Sequence, residues 1–337
     1  MTTTFQLPAG LEATAPPADR SAVRLLVARS SGIEHARFAA LGAFLSPGDL
    51  LVVNTSGTLA AAVDGTRHDG QAVTVHFATA LDDGSWVIEV RPARGATGPV
   101  PDSRAGDVIT LPGDVRVVLV QPHPSGQIRL WQAAAGVEGG VVAYLERYGR
   151  PIRYAYVPVP FPLADYQTVF AREPGSAEMP SAGRPFTTEL VTDLVTRGIG
   201  IAPITLHTGV SSQDIGEPPQ PERYAVPEAT ARAVNLTRDS GGRVVAVGTT
   251  ATRALESAAD SRGAIRGRSG WTDLVLGPDR PARAVNGLIT GWHAPGASHL
   301  DLLAAVAGAD LVDRAYAEAV RAGYLWHEFG DSCLLLP

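Results

Sequence analysis

The stretch "VVAVGTTATRALES" (244–257) places Gly248, Thr249 and Thr250 where an apolar strand hands over to a helix. A helix N-terminus leaves N–H groups unpaired and carries a partial positive charge. A carboxylate or phosphate fits there, although Thr249 or Thr250 capping the helix is an equally simple reading. The pattern is neither a P-loop nor a dinucleotide fingerprint. Arg253 and Glu256 stand three apart on one helix face, so they can pair with each other or face a ligand. His207 ends the apolar run of "ITLHTG" (204–209). Strand ends of α/β sheets collect ligands, and a neutral imidazole there can take a proton near pH 7. A satisfied, partly buried histidine is the plainer alternative. Trp292 and His293 lie in the Gly/Pro loop of "GLITGWHAPGASHL", and "YLWHEFGDSCLLLP" offers His327, Glu328 and Asp331. Neither HExxH nor paired CxxC occurs, so no metal is expected. No GxSxG elbow occurs either.

The composition narrows the chemistry further. The 28 basic residues are all arginine, which excludes a Schiff-base lysine and a P-loop lysine. The net charge of −6 argues against a generic nucleic-acid coat while leaving room for a local basic face. Cys333 is the single cysteine; it lies in an apolar tail and reads as a buried structural thiol in a reducing compartment. The first ten residues lack the basic and apolar regions of a signal peptide. No apolar run approaches the ~20 residues of a membrane helix. A cytoplasmic protein is expected.

These residues need a scaffold, and 337 residues with 45% hydrophobic content suffice for two domains. "RLLVARSSG" and "PGDLLVVN" read as strands flanking a helix-like "IEHARFAALGAFL". From about 60 to 145, short β-rich runs bounded by Gly, Pro or Asp recur at hairpin spacing, as in a small antiparallel barrel. Residues 150–186 carry too many prolines for a regular element and read as a long ordered loop or lid. Strand–helix alternation then resumes. "TTELVTDLVTRG" is an amphipathic helix presenting Leu190, Val191, Leu194 and Val195, and "ADLVDRAYAEAVRAG" presents Leu311, Val312, Ala315, Tyr316, Ala319 and Val320. The expected fold is α/β, with a main domain of residues 1–58 and 150–337 interrupted by a small antiparallel β-barrel domain at 59–149.

Several stretches occur together, in one order, in a known family. "FQLPAGLEATAPPADRSAVRLLV", "FLSPGDLLVVN", "WVIEVRPAR", "YQTVFA", "GSAEMPSAGRPFT", "ITLHTG", "VAVGTTATRALES", "LITGWHAPGASHLDLLAAVAG" and "HEFGDSCLLL" make the chain resemble the S-adenosylmethionine:tRNA ribosyltransferase-isomerases of queuosine biosynthesis. The resemblance implies an α/β domain with an inserted barrel. It implies transfer of the ribosyl part of S-adenosylmethionine to a 7-aminomethyl-7-deazaguanine base in tRNA, with isomerisation to an epoxycyclopentane and release of adenine and methionine. S-adenosylmethionine is then a substrate, and no metal is needed. On this resemblance His207 is the expected base for the acidic C5′ hydrogen, and Asp331 or Glu256 the acid or a ligand-orienting group. Gly248, Thr249, Thr250 and Arg253, the "YQT" residues Tyr166, Gln167 and Thr168, and Trp292 and His293 are expected to hold S-adenosylmethionine.

The chain also departs from the family pattern. Thr55 and Gly57 replace an Asp and an Arg, Asp165 an Arg, and Pro185 a His. "EPPQPERY" keeps only Glu222 and Tyr224 of a His-rich stretch, and Gly291 and Gly296 stand for an Asn and a Lys. These are polar positions, and glycine cannot supply a lost donor. Three readings follow: the family reaction on tRNA, an S-adenosylmethionine enzyme with a small-molecule acceptor, or a non-catalytic ligand binder. The oligomeric state is left open.

Overall fold

The computed structural model describes residues 5–93, 98–211 and 219–337. The last residues of "WVIEVRPAR" and "ITLHTGVSS", and the first two of "EPPQPERY", lie outside the described residues. The fold is α/β with a closed barrel. The large sheet runs, edge to edge, through Arg268–Thr272, Glu222–Val226, Gly200–Leu206, Leu50–Asn54, Val244–Val247, Gly287–Thr290, Ser332–Leu336, Arg24–Arg29 and Gly32–Arg37. The four strands from Gly200–Leu206 to Gly287–Thr290 are mutually parallel. Leu50–Asn54 and Val244–Val247 are buried at every position. A sheet covered on both faces demands such uninterrupted apolar runs. One face carries Val52, Ile204, Ala246 and Leu288 beneath helices that include Thr249–Ala258 and Ala309–Arg321. The other carries Leu51, Val53, Val245 and Ile289 against Phe38, Phe186 and Leu194.

The second sheet closes into a barrel in the order Leu130–Ala135, Trp86–Pro92, Ala72–Ala80, Ala62–Arg67, Val108–Leu111, Val115–Pro122. Val63, Val75, Phe77, Val90, Val117 and Leu119 fill it, and Leu145 of the helix Val141–Tyr148 joins their cluster. Closure removes the exposed edges that short antiparallel strands otherwise present.

Some local expectations change. The helix-like "IEHARFAALGAFL" begins as the strand Gly32–Arg37, paired antiparallel to Arg24–Arg29, and continues as a 3-10 helix over Phe38–Ala43. A sheet-edge partner outweighs the weak local helical pattern there. In helix Thr188–Thr196, Leu190 and Leu194 are buried, but Val195 is 55% exposed. The stripe is therefore narrower than the sequence suggested. Helix Ala309–Arg321 buries Leu311, Val312, Ala315, Tyr316 and Ala319 as its spacing predicts. The proline-rich 150–186 region contains short 3-10 turns at Leu163–Tyr166 and Ser181–Gly183. It also contains a strand, Glu173–Ser176, parallel to Ser56–Thr58.

Buried side chains tie these layers together. Glu256 Oε1 accepts from the N–H groups of Arg283, Ala284 and Val285 at 2.9, 2.8 and 3.1 Å. Arg280 lies 3.5 Å from Oε2. Asp331 accepts from the N–H groups of Arg24 and Leu325, and its carboxylate pairs with the Arg24 guanidinium at 2.8 Å. Removing such an acceptor strands buried donors. Glu256→Ala should therefore lower stability by about 3 kcal/mol in urea unfolding; a loss under about 1 kcal/mol would show that those N–H groups find water instead.

Candidate active site

Four parallel strands deliver their carboxyl ends to one edge of the sheet. Thr208 and Gly209 follow the first of them, Gly248 follows Val247, and Gly291–His293 follow Thr290. A cavity of about 520 Å³ opens there, lined by these residues and by Thr249, Thr250, Arg253, Glu178, His299 and Glu328 among others. Its size suits a nucleoside-sized ligand.

Gly248 has φ +95°, a conformation that favours glycine, and it turns the chain into helix Thr249–Ala258. No side chain caps that helix. Thr250 Oγ1 is sealed from solvent and has no hydrogen-bond partner. The threonines are therefore not caps, and an uncapped first turn and an orphan hydroxyl border the cavity. A buried hydroxyl left unpaired costs roughly 1–3 kcal/mol, so something outside the chain is the natural partner.

Two imidazoles stack beside it. His293 and His299 lie 4.5 Å apart with planes 1° from parallel. Burial holds His293 well below the usual histidine range and lowers His299 to about 4, so both are neutral at pH 7. Thr290 Oγ1 donates its single proton to the Gly291 carbonyl, 3.0 Å away. It must then accept from His293 Nε2, also at 3.0 Å. That fixes the tautomer: His293 Nδ1 carries the lone pair and makes no hydrogen bond within the described protein. Trp292 closes the wall behind, packed on Tyr316 at 4.9 Å and Trp326 at 5.3 Å.

The opposite feature is acidic. Glu178 accepts from Ser211 N at 2.7 Å, from Ser211 Oγ and from Tyr154 OH. Burial pushes it up to about 7. Burial, and then the nearby Glu178, push Glu328 up to about 8. Glu328 Oε1 is sealed and unpartnered. Its neighbour His327 stacks on Tyr156 at 4.3 Å, which builds an aromatic slab into the same wall.

Of the residues expected from sequence, the cavity gathers Gly248, Thr249, Thr250, Arg253, Trp292 and His293. Arg253 pairs with Glu222, not with Glu256, and both partners line the cavity. His207 stands beside the wall without joining it. Its Nδ1 is 2.8 Å from Ser56 Oγ, which is 2.6 Å from Ser176 Oγ. Burial lowers its pKa, and a side chain on Gly175 would collide with its ring. Asp331 and Glu256 lie outside the cavity wall, held in the clamps described above. The "YQT" residues lie outside the cavity wall. Tyr166 packs edge-on against Phe329 at 5.1 Å, and Gln167 bridges Thr58 N and O at 3.0 and 2.7 Å. Thr168 is buried, its Oγ1 accepting from Phe170 N. Of the departures, Gly291 and Gly296 line the cavity, so it is widened where the resemblance implied side chains. Thr55 Oγ1 is turned to the Ile204 carbonyl at 3.0 Å.

The family model for queuosine biosynthesis protein matches residues 2–335. The chain belongs to that family. It is 38% identical to the S-adenosylmethionine:tRNA ribosyltransferase-isomerase of Symbiobacterium thermophilum, covering 98% of each chain. It is 38% identical to the protein of the same name from Moorella thermoacetica, again covering 98% of each. A solved structure, the S-adenosylmethionine tRNA ribosyltransferase of Thermotoga maritima, is 29% identical over 99% of both chains with a TM-score of 0.56.

Sequence reasoning passed over Glu178, His299 and Ser211, and left Glu328 without a role. Glu178 and His299 lie inside quoted family stretches, "GSAEMPSAG" and "GASHL", but nothing in their local spacing marks a buried carboxyl or a stacked imidazole. Among the described residues no group of three or more His, Cys, Asp or Glu is placed to hold a metal ion, and no helix is long and apolar enough to cross a membrane.

Two outcomes follow for this queuosine-family cavity. Thr250→Val, which removes a hydroxyl the fold does not use, should leave stability within about 1 kcal/mol in urea unfolding; a larger loss would reveal an internal partner. The folded carboxyls of Glu178 and Glu328 keep protons that the unfolded chain has already released above pH ~4.5. Ligand-free stability should thus fall as pH rises from about 7.5 to 8.5, above the range in which unfolded imidazoles release their protons and act in the opposite sense. The Glu178→Gln, Glu328→Gln double variant should flatten that slope, and an unchanged slope would contradict the assignment.

Proposed function

We propose that the chain is an S-adenosylmethionine:tRNA ribosyltransferase-isomerase. It would transfer and isomerise the ribosyl group onto a 7-aminomethyl-7-deazaguanine base of tRNA, with release of adenine and methionine. Family membership over the whole length supports this reading. The observation that carries it is the carboxyl-edge cavity, where an uncapped helix start and an orphan hydroxyl face a neutral, oriented imidazole. The division of the chain into 1–58 with 150–337, and an insert at 59–149, belongs to the same reading.

The chemistry asks little of metals. A sulfonium acidifies the adjoining C5′ hydrogens, so a neutral base within reach can remove one. His293 takes this role in place of His207. Its ring lines the cavity, Thr290 holds its tautomer, and Nδ1 is the atom that receives the proton. The first-turn N–H groups of helix Thr249–Ala258 and Thr250 Oγ1 hold the methionine carboxylate. The Tyr156–His327 slab offers a face for the purine. Adenine leaves with the glycosidic electron pair and needs a proton. Protonated Glu178, on three neutral donors, stands at the cavity wall to supply it. Methionine departs as a neutral thioether that keeps the C–S electron pair.

The test is direct. Incubation with S-adenosylmethionine and tRNA bearing the aminomethyl-deazaguanine base should release adenine and methionine in equal amounts. Without that RNA there should be none. Release independent of RNA would instead favour a small acceptor, and binding without release would make the protein a ligand binder. His293→Ala should lower turnover by roughly 100-fold or more, while His207→Ala stays within about tenfold of wild type. The reverse ranking would return the base role to His207.

A further inference from the structure

Glu328 has no role in the chemistry above, yet it holds an unusual position. Glu328 lines the cavity, and its Oε1 is sealed from solvent with no hydrogen-bond partner among the described residues. Natural proteins rarely leave a buried polar atom without a partner unless something else supplies one. The charged and titratable groups around it do not. The Arg184 charge acts to lower it, but that guanidinium is directed to the Phe329 carbonyl at 3.4 Å and lies over the Phe329 ring. His327, on the same turn, is turned to Glu12 at 3.3 Å and stacked on Tyr156. Glu178, a second carboxyl of the cavity, repels it, Glu222 is spent on Arg253, and burial, followed by Glu328, holds the Tyr156 and Tyr166 phenols neutral. A cavity with three carboxyls against the single Arg253, which Glu222 already pairs, is short of positive charge.

We propose that Glu328 is the specificity residue that reads the sulfonium charge, its carboxylate set beside the trivalent sulfur of the bound nucleoside. A thioether of the same shape has no charge to offer, so Glu328 would separate the substrate from its demethylated counterpart. The inference deepens the proposed function and rests on it for the identity of the nucleoside. Arrival of the sulfonium beside a carboxyl that is largely protonated at pH 7 expels its proton to solvent. Binding of the charged ligand therefore releases a proton, and binding of the thioether does not.

Calorimetry with S-adenosylmethionine and S-adenosylhomocysteine, each in two buffers of different ionisation enthalpy, tests this. Wild type should bind the sulfonium at least roughly tenfold tighter than the thioether, with buffer-dependent heat for the sulfonium alone. In Glu328→Gln the ratio should fall close to one, thioether affinity should hold within about threefold, and the buffer dependence should vanish. Glu328→Asp should restore part of the ratio. Retained thioether binding also reports that the variant is folded. An unchanged ratio in Glu328→Gln, or equal loss of both ligands, overturns the proposal while leaving the proposed function standing. Failure of wild type to bind either ligand overturns both.

Discussion

Four parallel strands ending at one edge of the sheet are the constraint on which the rest depends. Three of them, Leu50–Asn54, Val244–Val247 and Gly287–Thr290, are buried at every position and apolar up to their last residue. Polar groups collect where the strands stop. There the backbone must turn, and the φ of +95° at Gly248 starts a helix whose first N–H groups are left open. Thr290 ends the next strand and, by spending its proton on the Gly291 carbonyl, dictates which nitrogen of His293 is free. The sheet thus positions the first-turn amides and the imidazole on a rigid frame, and the surrounding burial keeps that imidazole neutral.

The polar residues near this edge fall into two groups, separated by whether their hydrogen bonds are already made. Glu256 Oε1, both Asp331 oxygens and the Gln167 oxygen accept from backbone N–H groups, and these side chains act as clamps between distant segments. Thr250 Oγ1 and Glu328 Oε1 have no partner at all. In a well-packed fold such orphans are expensive, and both belong to residues that line the same cavity.

Much of this was legible in the sequence, for physical reasons that differ by residue. The alternation of buried strands and amphipathic helices, and the change to short β runs after residue 60, announce the α/β sheet and the barrel because both periodicities are local. Gly248–Thr250 and His293 could be picked out because a strand-to-helix turn and a Gly/Pro loop before a helix are local signals as well. What stayed hidden depends on distant partners. The N–H groups that bind Glu256 Oε1 begin 27 residues away, and Arg24, which clamps Asp331, is 307 residues away. Nothing near those positions shows that their lone pairs are used. His207 sits at a strand end as predicted, but Ser56 and Gly175, from other segments, hold its ring beside the cavity wall. Glu178 is fixed by Ser211 and Tyr154, again across long separations.

The central claim is that the open start of helix Thr249–Ala258 is the anchor of the nucleoside's amino-acid end. A crystal structure with S-adenosylmethionine would test it most directly. The account predicts the carboxylate within hydrogen-bond reach of the Thr249–Ala251 amides and of Thr250 Oγ1. A nucleoside bound with its carboxylate elsewhere, or a cavity left unfilled at saturating ligand, would contradict it.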